Sequence, residues 1–79
     1  MKTYMIFVDC RTANDYDRGR ISGVIHVLTG MPKREYAWER NNNYDWTKMF
    51  DAEKEQSWAV ADCLNRMYPT TYMGMMEVE

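Results

Sequence analysis

Residues 3–9 alternate, with Tyr4, Ile6 and Val8 on one side and Met5 and Phe7 on the other. A run of β-formers with two apolar faces predicts a central strand. Residues 11–19 are polar and hold Asn14, Asp15 and Asp17, which predicts a loop or a single helical turn. Ile21 to Leu28 reads as a second strand, with Val24, His26 and Leu28 opposite Ile25 and Val27, closed by Gly30 and Pro32.

The pattern is least decided over residues 34–49. Tyr36 and Trp38 would share one strand face, as would Tyr44 and Trp46, with Asn41-Asn42-Asn43 between them. Asparagine favours turns, so a hairpin fits, and a short helix or irregular arm fits nearly as well. The clearest helix runs from about Ala52 to Met67, capped by Asp51, with Glu53 and Glu55 at the positive end of its dipole. Val60, Ala61, Leu64, Met67 and Tyr68 fall on one helical face, and Trp58 lies off it. Pro69 stops the helix. Residues 70–78 predict a last strand, with Tyr72, Met76 and Val78 on one face, Met73 and Met75 on the other, and Gly74 marking a bulge. The expected fold is therefore α+β: a small mixed or antiparallel sheet of three to five strands packed by one main helix, in a single domain over residues 1–79.

Composition narrows the function. A chain of 79 residues buries only about 60% of its unfolded surface. Apolar content of 46% with 28% charged residues fits a globular domain and not a disordered one. No apolar run forms a signal-peptide core or approaches the roughly 20 residues of a membrane span, so a cytoplasmic location is expected, in the host cytoplasm if a phage encodes the chain. Cys10 and Cys63 form no CxxC pattern and are expected as free thiols. Net charge is −2. Residues 1–40 carry seven basic and five acidic groups (+2), and residues 41–79 three basic and seven acidic (−4). That polarity can orient a partner but lacks the clustered basic face of a nucleic-acid binder.

One segment carries a family signature. Ile6-Phe7-Val8-Asp9-Cys10-Arg11, then Asp15-Tyr16, then Gly19-Arg20-Ile21-Ser22-Gly23-Val24-Ile25-His26-Val27 resembles the opening motif of rhodanese-like domains. In that family an apolar strand ends in Asp-x-Arg, and an acidic-Tyr pair precedes Gly-His-Ile-x-Gly-Ala. Arg20 stands where the family has His, and Val24 where it has Ala. The resemblance implies structural roles for Asp9 and Arg11. It also implies a sulfur-carrying Cys that follows a central strand and opens a Cys-x-x-x-x-Arg loop, whose backbone N–H groups cradle the substrate anion. Cys63 is followed by Leu64-Asn65-Arg66-Met67 inside the expected helix, with no Gly, so that catalytic loop is absent there.

Other chemistry is sparse. His26 is the sole histidine, and it reads as a satisfied core or sheet-surface residue. Too few His and Cys are present for a metal site. Ser22 and Ser57 lack a nucleophile elbow, and Glu53 with Glu55 reads as a solvated helix start. No catalytic residue, metal or cofactor is assigned.

The remaining signal is eleven aromatics and eight methionines. Arg34, Tyr36, Trp38, Arg40, Tyr44 and Trp46, with Trp58, form a candidate partner-binding set. The alternative is that some of these rings close the second face of the sheet. The expected function is that of a small non-enzymatic protein-binding protein, of the kind phage and mobile elements use to occlude a host enzyme or defence complex. The alternatives are a degenerate or truncated rhodanese-like sulfur carrier using Cys63 or Cys10, and a single-stranded nucleic-acid binder. For the last, Glu35, Glu39 and Asp45 would repel phosphate. A Met-rich last strand also leaves a homo-oligomer open.

Overall fold

The computed structural model describes residues 1–32 and 35–78. Six elements follow in order: β1 (Lys2–Asp9), α1 (Asp15–Thr29), β2 (Glu39–Arg40), β3 (Asp45–Ala52), α2 (Lys54–Met67) and β4 (Met73–Val78). The strands form one antiparallel sheet in the order β2-β3-β1-β4. A β-α-β-β-α-β chain in this arrangement is the split βαβ, or ferredoxin-like, topology. The fold is thus α+β, with β1 central as its two apolar faces require.

Registers set the two faces. Tyr4, Ile6 and Val8 lie opposite Phe50, Lys48 and Trp46, and all point toward the helices. There they form one core with Ile21 and Ile25 of α1 and Val60 and Leu64 of α2. Tyr4 stacks on Phe50 with ring centroids 5.7 Å apart. The other face carries Thr3, Met5, Phe7, Met49 and Met76, and among the described residues no helix packs over it.

Residues 21–28 are helical and not a strand. Asn14 Oδ1 accepts from the Asp17 N–H at 3.0 Å, and Asp17 Oδ2 accepts from the Asn14 N–H at 3.0 Å. This capping box starts α1, and Gly30 at φ 75° ends it. Ile21, Val24, Ile25 and Leu28 recur at helical spacing, and Val27, on the opposite side, is 78% exposed. The alternation over 24–28 had the same residues to draw on. Gly19 and Gly23 weaken helix propensity by roughly 1 kcal/mol each, so burial of the Ile21–Ile25 stripe decides.

Two further boundaries move. Asp51 does not cap α2: it continues β3, where its carboxylate accepts from Thr3 Oγ1 at 2.6 Å and from Tyr36 OH at 3.4 Å. Glu53 takes the cap position, its N–H donating to Gln56 Oε1 at 2.8 Å. Gly74 makes no bulge, because it pairs in regular register with Phe7. Its missing side chain leaves room for that ring, which a Cβ would meet at 2.3 Å. Of the segment 34–49, residues 39–49 form the hairpin alternative, turned at 41–44 by Asn42 Oδ1, which accepts from the N–H groups of Tyr44 and Asp45 at 2.7 and 2.9 Å, while Tyr36 and Trp38 precede it and share no strand face.

The helical assignment of 21–28 predicts an asymmetric pair of variants. Ile25→Ala loses about 2–5 kcal/mol of unfolding free energy in urea titration, and Val27→Ala changes it by less than about 0.5 kcal/mol. Comparable losses for both would mean that 21–28 is a strand buried on two sides.

Candidate functional site

Candidate chemistry gathers where β1 ends. Asp9 closes the central strand and is buried. Its carboxylate accepts from Arg11 N–H at 2.8 Å, Arg11 Nε at 3.0 Å and Arg11 Nη2 at 2.7 Å. Its carbonyl accepts from the Thr12 and Ala13 N–H groups, both at 3.1 Å. The Arg11 side chain, and after it the Arg11 N–H, holds the Asp9 carboxyl below the usual carboxylate range. One aspartate thereby folds the turn 10–13 and aims the Arg11 guanidinium at the Tyr44 ring, 4.1 Å from its centroid.

A second cation–aromatic cluster stands on the helix side of the same end. Trp46 of β3 lies beside Arg40 of β2 by register. The Arg18 guanidinium, on the first turns of α1, sits 4.1 Å from a Trp46 ring centroid, and that of Arg40 at 5.8 Å. Arg18 also pairs with Asp15, and Arg40 Nη2 donates to the Asn43 carbonyl at 2.8 Å. Cys10 lies between the clusters, its Sγ 3.4 Å from the Asn43 carbonyl oxygen and 3.7 Å from Arg40 Nη2. Two open depressions flank it. One is lined by Asp9, Arg11, Asn42, Tyr44 and Tyr72, and the other by Cys10, Tyr16, Arg18, Arg40 and Trp46. Tyr44 is 51% and Tyr72 65% exposed.

The backbone around Cys10 has no anion cradle. The Cys10 N–H donates to the Tyr44 carbonyl, Arg11 N–H to the Asp9 carboxylate, Thr12 and Ala13 N–H to the Asp9 carbonyl, and Asn14 N–H to Asp17. Five consecutive amides are therefore turned into the fold and away from any ligand. Cys63 lies within α2, half-buried, with Sγ 3.8 Å from Met67 Sδ, and the helical ladder occupies the amides around it. Both thiols are free. No cluster of metal-ligating side chains forms among the described residues.

The sequence-predicted set divides. Arg40, Tyr44 and Trp46 meet at this end of the sheet. Tyr36 and Trp38 are half-buried against the core, Trp38 donating from Nε1 to Ser22 Oγ at 2.9 Å and Tyr36 donating to Asp51. Trp58 is 59% exposed on the first turns of α2, which begins at the opposite end of the sheet, after Ala52 pairs with Lys2. Arg34 lies outside the described residues. Arg11, Arg18 and Tyr72 join the cluster only through folding, although the Asp9-Cys10-Arg11 element and the aromatic load are visible in the sequence. His26 lies on the exposed side of the last turn of α1 and in no strand, with Nδ1 2.7 Å from the Met31 carbonyl oxygen, so its ring is satisfied.

The family model of the rhodanese-like domain matches residues 1–66, β1 through nearly all of α2. The chain belongs to the rhodanese-like domain family. No curated protein and no solved structure matches it. The matched segment folds here into an antiparallel sheet, and the Asp-x-Arg element keeps the structural role implied by the resemblance: Asp9 and Arg11 pair and shape the turn. No helix among the described residues is long and apolar enough to cross a membrane.

The Asp9–Arg11 pair makes acid stability testable. The Asp9 carboxyl titrates lower in the folded chain than its unfolded value of about 3.9. Its stabilising contribution is therefore complete above that value and is lost as pH falls through the folded one. Arg11→Gln should flatten the decline of the melting temperature between about pH 4 and pH 2 and leave the profile near neutrality parallel to wild type. An unchanged acid limb would mean that the pair does not hold the turn.

Proposed function

We propose that this chain is a non-catalytic member of the rhodanese-like family that works by binding a protein, with the Arg–aromatic end of the sheet as its contact surface. The observation that carries this reading is the set of five inward-bonded amides at residues 10–14, which leaves Cys10 without a cradle for a substrate anion. Cys63, in mid-helix, lacks one for a different reason. The family's sulfur chemistry requires such a cradle, and a binding role does not.

The surface itself supports recognition. Arginine and the large aromatics are enriched at the centres of protein interfaces, where a planar cation on a ring is already ordered before contact. Arg11 on Tyr44, and Arg18 and Arg40 on Trp46, are ordered in this way. Tyr72 and Tyr44 present exposed rings at the rim. Binding here would cover a surface of the partner, which suits an inhibitor that acts by occlusion.

Two measurements test the reading. Incubation with a sulfur donor followed by intact-mass analysis should show no added sulfur atom on either cysteine, and a persulfide on Cys10 would replace binding with sulfur carriage. In the second, wild-type protein immobilised on a surface should retain one stoichiometric partner from source-cell lysate. The Tyr44→Ala and Tyr72→Ala variants should bind that purified partner at least about tenfold more weakly, on the scale of an interface hot spot, while melting as wild type does. Equal affinity would remove this surface from the function.

A further inference from the structure

The two edges of the sheet are treated differently. On the β3 side, Glu39 pairs with Thr47, the Asn41 N–H donates to the Asp45 carbonyl at 3.0 Å, and the Asp51 N–H donates to Met31 Sδ at 3.1 Å. On the β4 side, the Asp9 N–H donates to the Tyr72 carbonyl. Antiparallel alternation then turns the backbone groups of Gly74 and Met76 toward β1, and those of Met73, Met75 and Glu77 outward. Among the described residues no strand lies beyond them. β4 has none of the devices that blunt an edge: no proline, no bulge, and a single charge, Glu77, tied to Lys2 at 2.8 Å. Beside the edge runs a groove of about 210 Å³ between β4 and α2, lined by Ile6, Ala61, Leu64, Asn65, Met73 and Met75.

We infer that β4 is a dimerisation edge, paired with β4 of a second copy about a two-fold axis at Met75. The self-complementarity of the strand selects this occupant. The outward residues 73, 75 and 77 are symmetric about Met75, so an antiparallel copy sets Met75 against Met75 and Met73 against Glu77. All three outward residues of each copy then exchange N–H···O bonds at once, whereas a shift of two residues either way leaves one unpaired. The same axis keeps both helix layers on one side of a continuous eight-stranded sheet. Met75 of each copy meets its equivalent beside the apolar groove, and no like charges stand opposite each other, because Glu77 faces Met73. The outer face, with Met5, Met49 and Met76, is also apolar, but it carries no directional groups that specify a register.

Sedimentation velocity of the full chain across a range of concentrations tests this. Wild type should sediment as a dimer. Met75→Pro removes only an outward N–H, which an edge position tolerates, and should halve the sedimenting mass while the circular dichroism spectrum stays folded. If that variant fails to fold, hydrogen exchange on wild type decides the same question. The Met73, Met75 and Glu77 amides should become protected as concentration rises, while the Asn41 amide, beside the opposite edge of the sheet, does not change. A wild-type chain that stays monomeric overturns the inference, as does a Met75→Pro dimer or concentration-independent exchange at those three amides. Each of these results leaves the Tyr44→Ala arm of the partner assay unaffected, because Tyr44 and Trp46 lie on the β3 side of the sheet with β1 between them and β4, whereas Tyr72 adjoins Met73 and does not separate the two readings.

Discussion

The residue on which the site depends is Asp9. A carboxylate at the end of the central strand would be costly to bury alone, and the fold satisfies it locally: Arg11 wraps back on it, and the Thr12 and Ala13 amides close on its carbonyl. That local closure has two consequences. The chain leaves β1 in a tight turn and enters α1 at the Asn14 capping box, which fixes where α1 crosses the sheet. The same closure draws in the amides that would otherwise be free to hold an anion beside Cys10. The interaction that makes the turn stable thus removes one requirement of sulfur chemistry.

Three arginines then order the surface around that turn. Each is partly committed to its own fold: Arg11 to Asp9, Arg18 to Asp15, and Arg40 to the Asn43 carbonyl. Their guanidinium planes lie near rings, where contact with the quadrupole adds to hydrogen bonding that is already satisfied. Such a surface would lose little side-chain entropy on contact, which is what supports the proposed recognition of a protein. Acidic Asp45 lines the same depression as Arg11 and Tyr44.

Legibility varied with how local the signals were. The first strand, the second helix and the last strand are readable because alternation in the strands, and in the helix an apolar stripe stopped by Pro69, are local signals, while the cap of α2 moves from Asp51 to Glu53. The α1 segment is ambiguous in sequence because Ile21, Val24, Ile25 and Leu28 satisfy a helical stripe while the alternation at 24–28 also satisfies a strand, and two glycines mask the helix. Only contact with α2 and the sheet separates the two. The aromatic set was visible as composition. Its division was not: Trp38 meets Ser22, sixteen residues earlier in the chain, and Tyr36 meets Asp51, fifteen residues later.

By itself the sequence determined the α+β class, the central place of the first strand, the absence of a Gly-rich cysteine loop at Cys63, and, through the family resemblance, a structural role for Asp9 and Arg11, because each rests on patterns within short segments. The tertiary structure decided the helical state of 21–28, the gathering of Arg11, Arg18, Arg40, Tyr44 and Trp46 at one end, and the bare outer edge of β4. The physical reason is the same in each case. Which face of an ambiguous segment is buried, and which backbone edge is left unpaired, are properties of partners distant in sequence, and they are fixed only when the sheet and both helices close on one core.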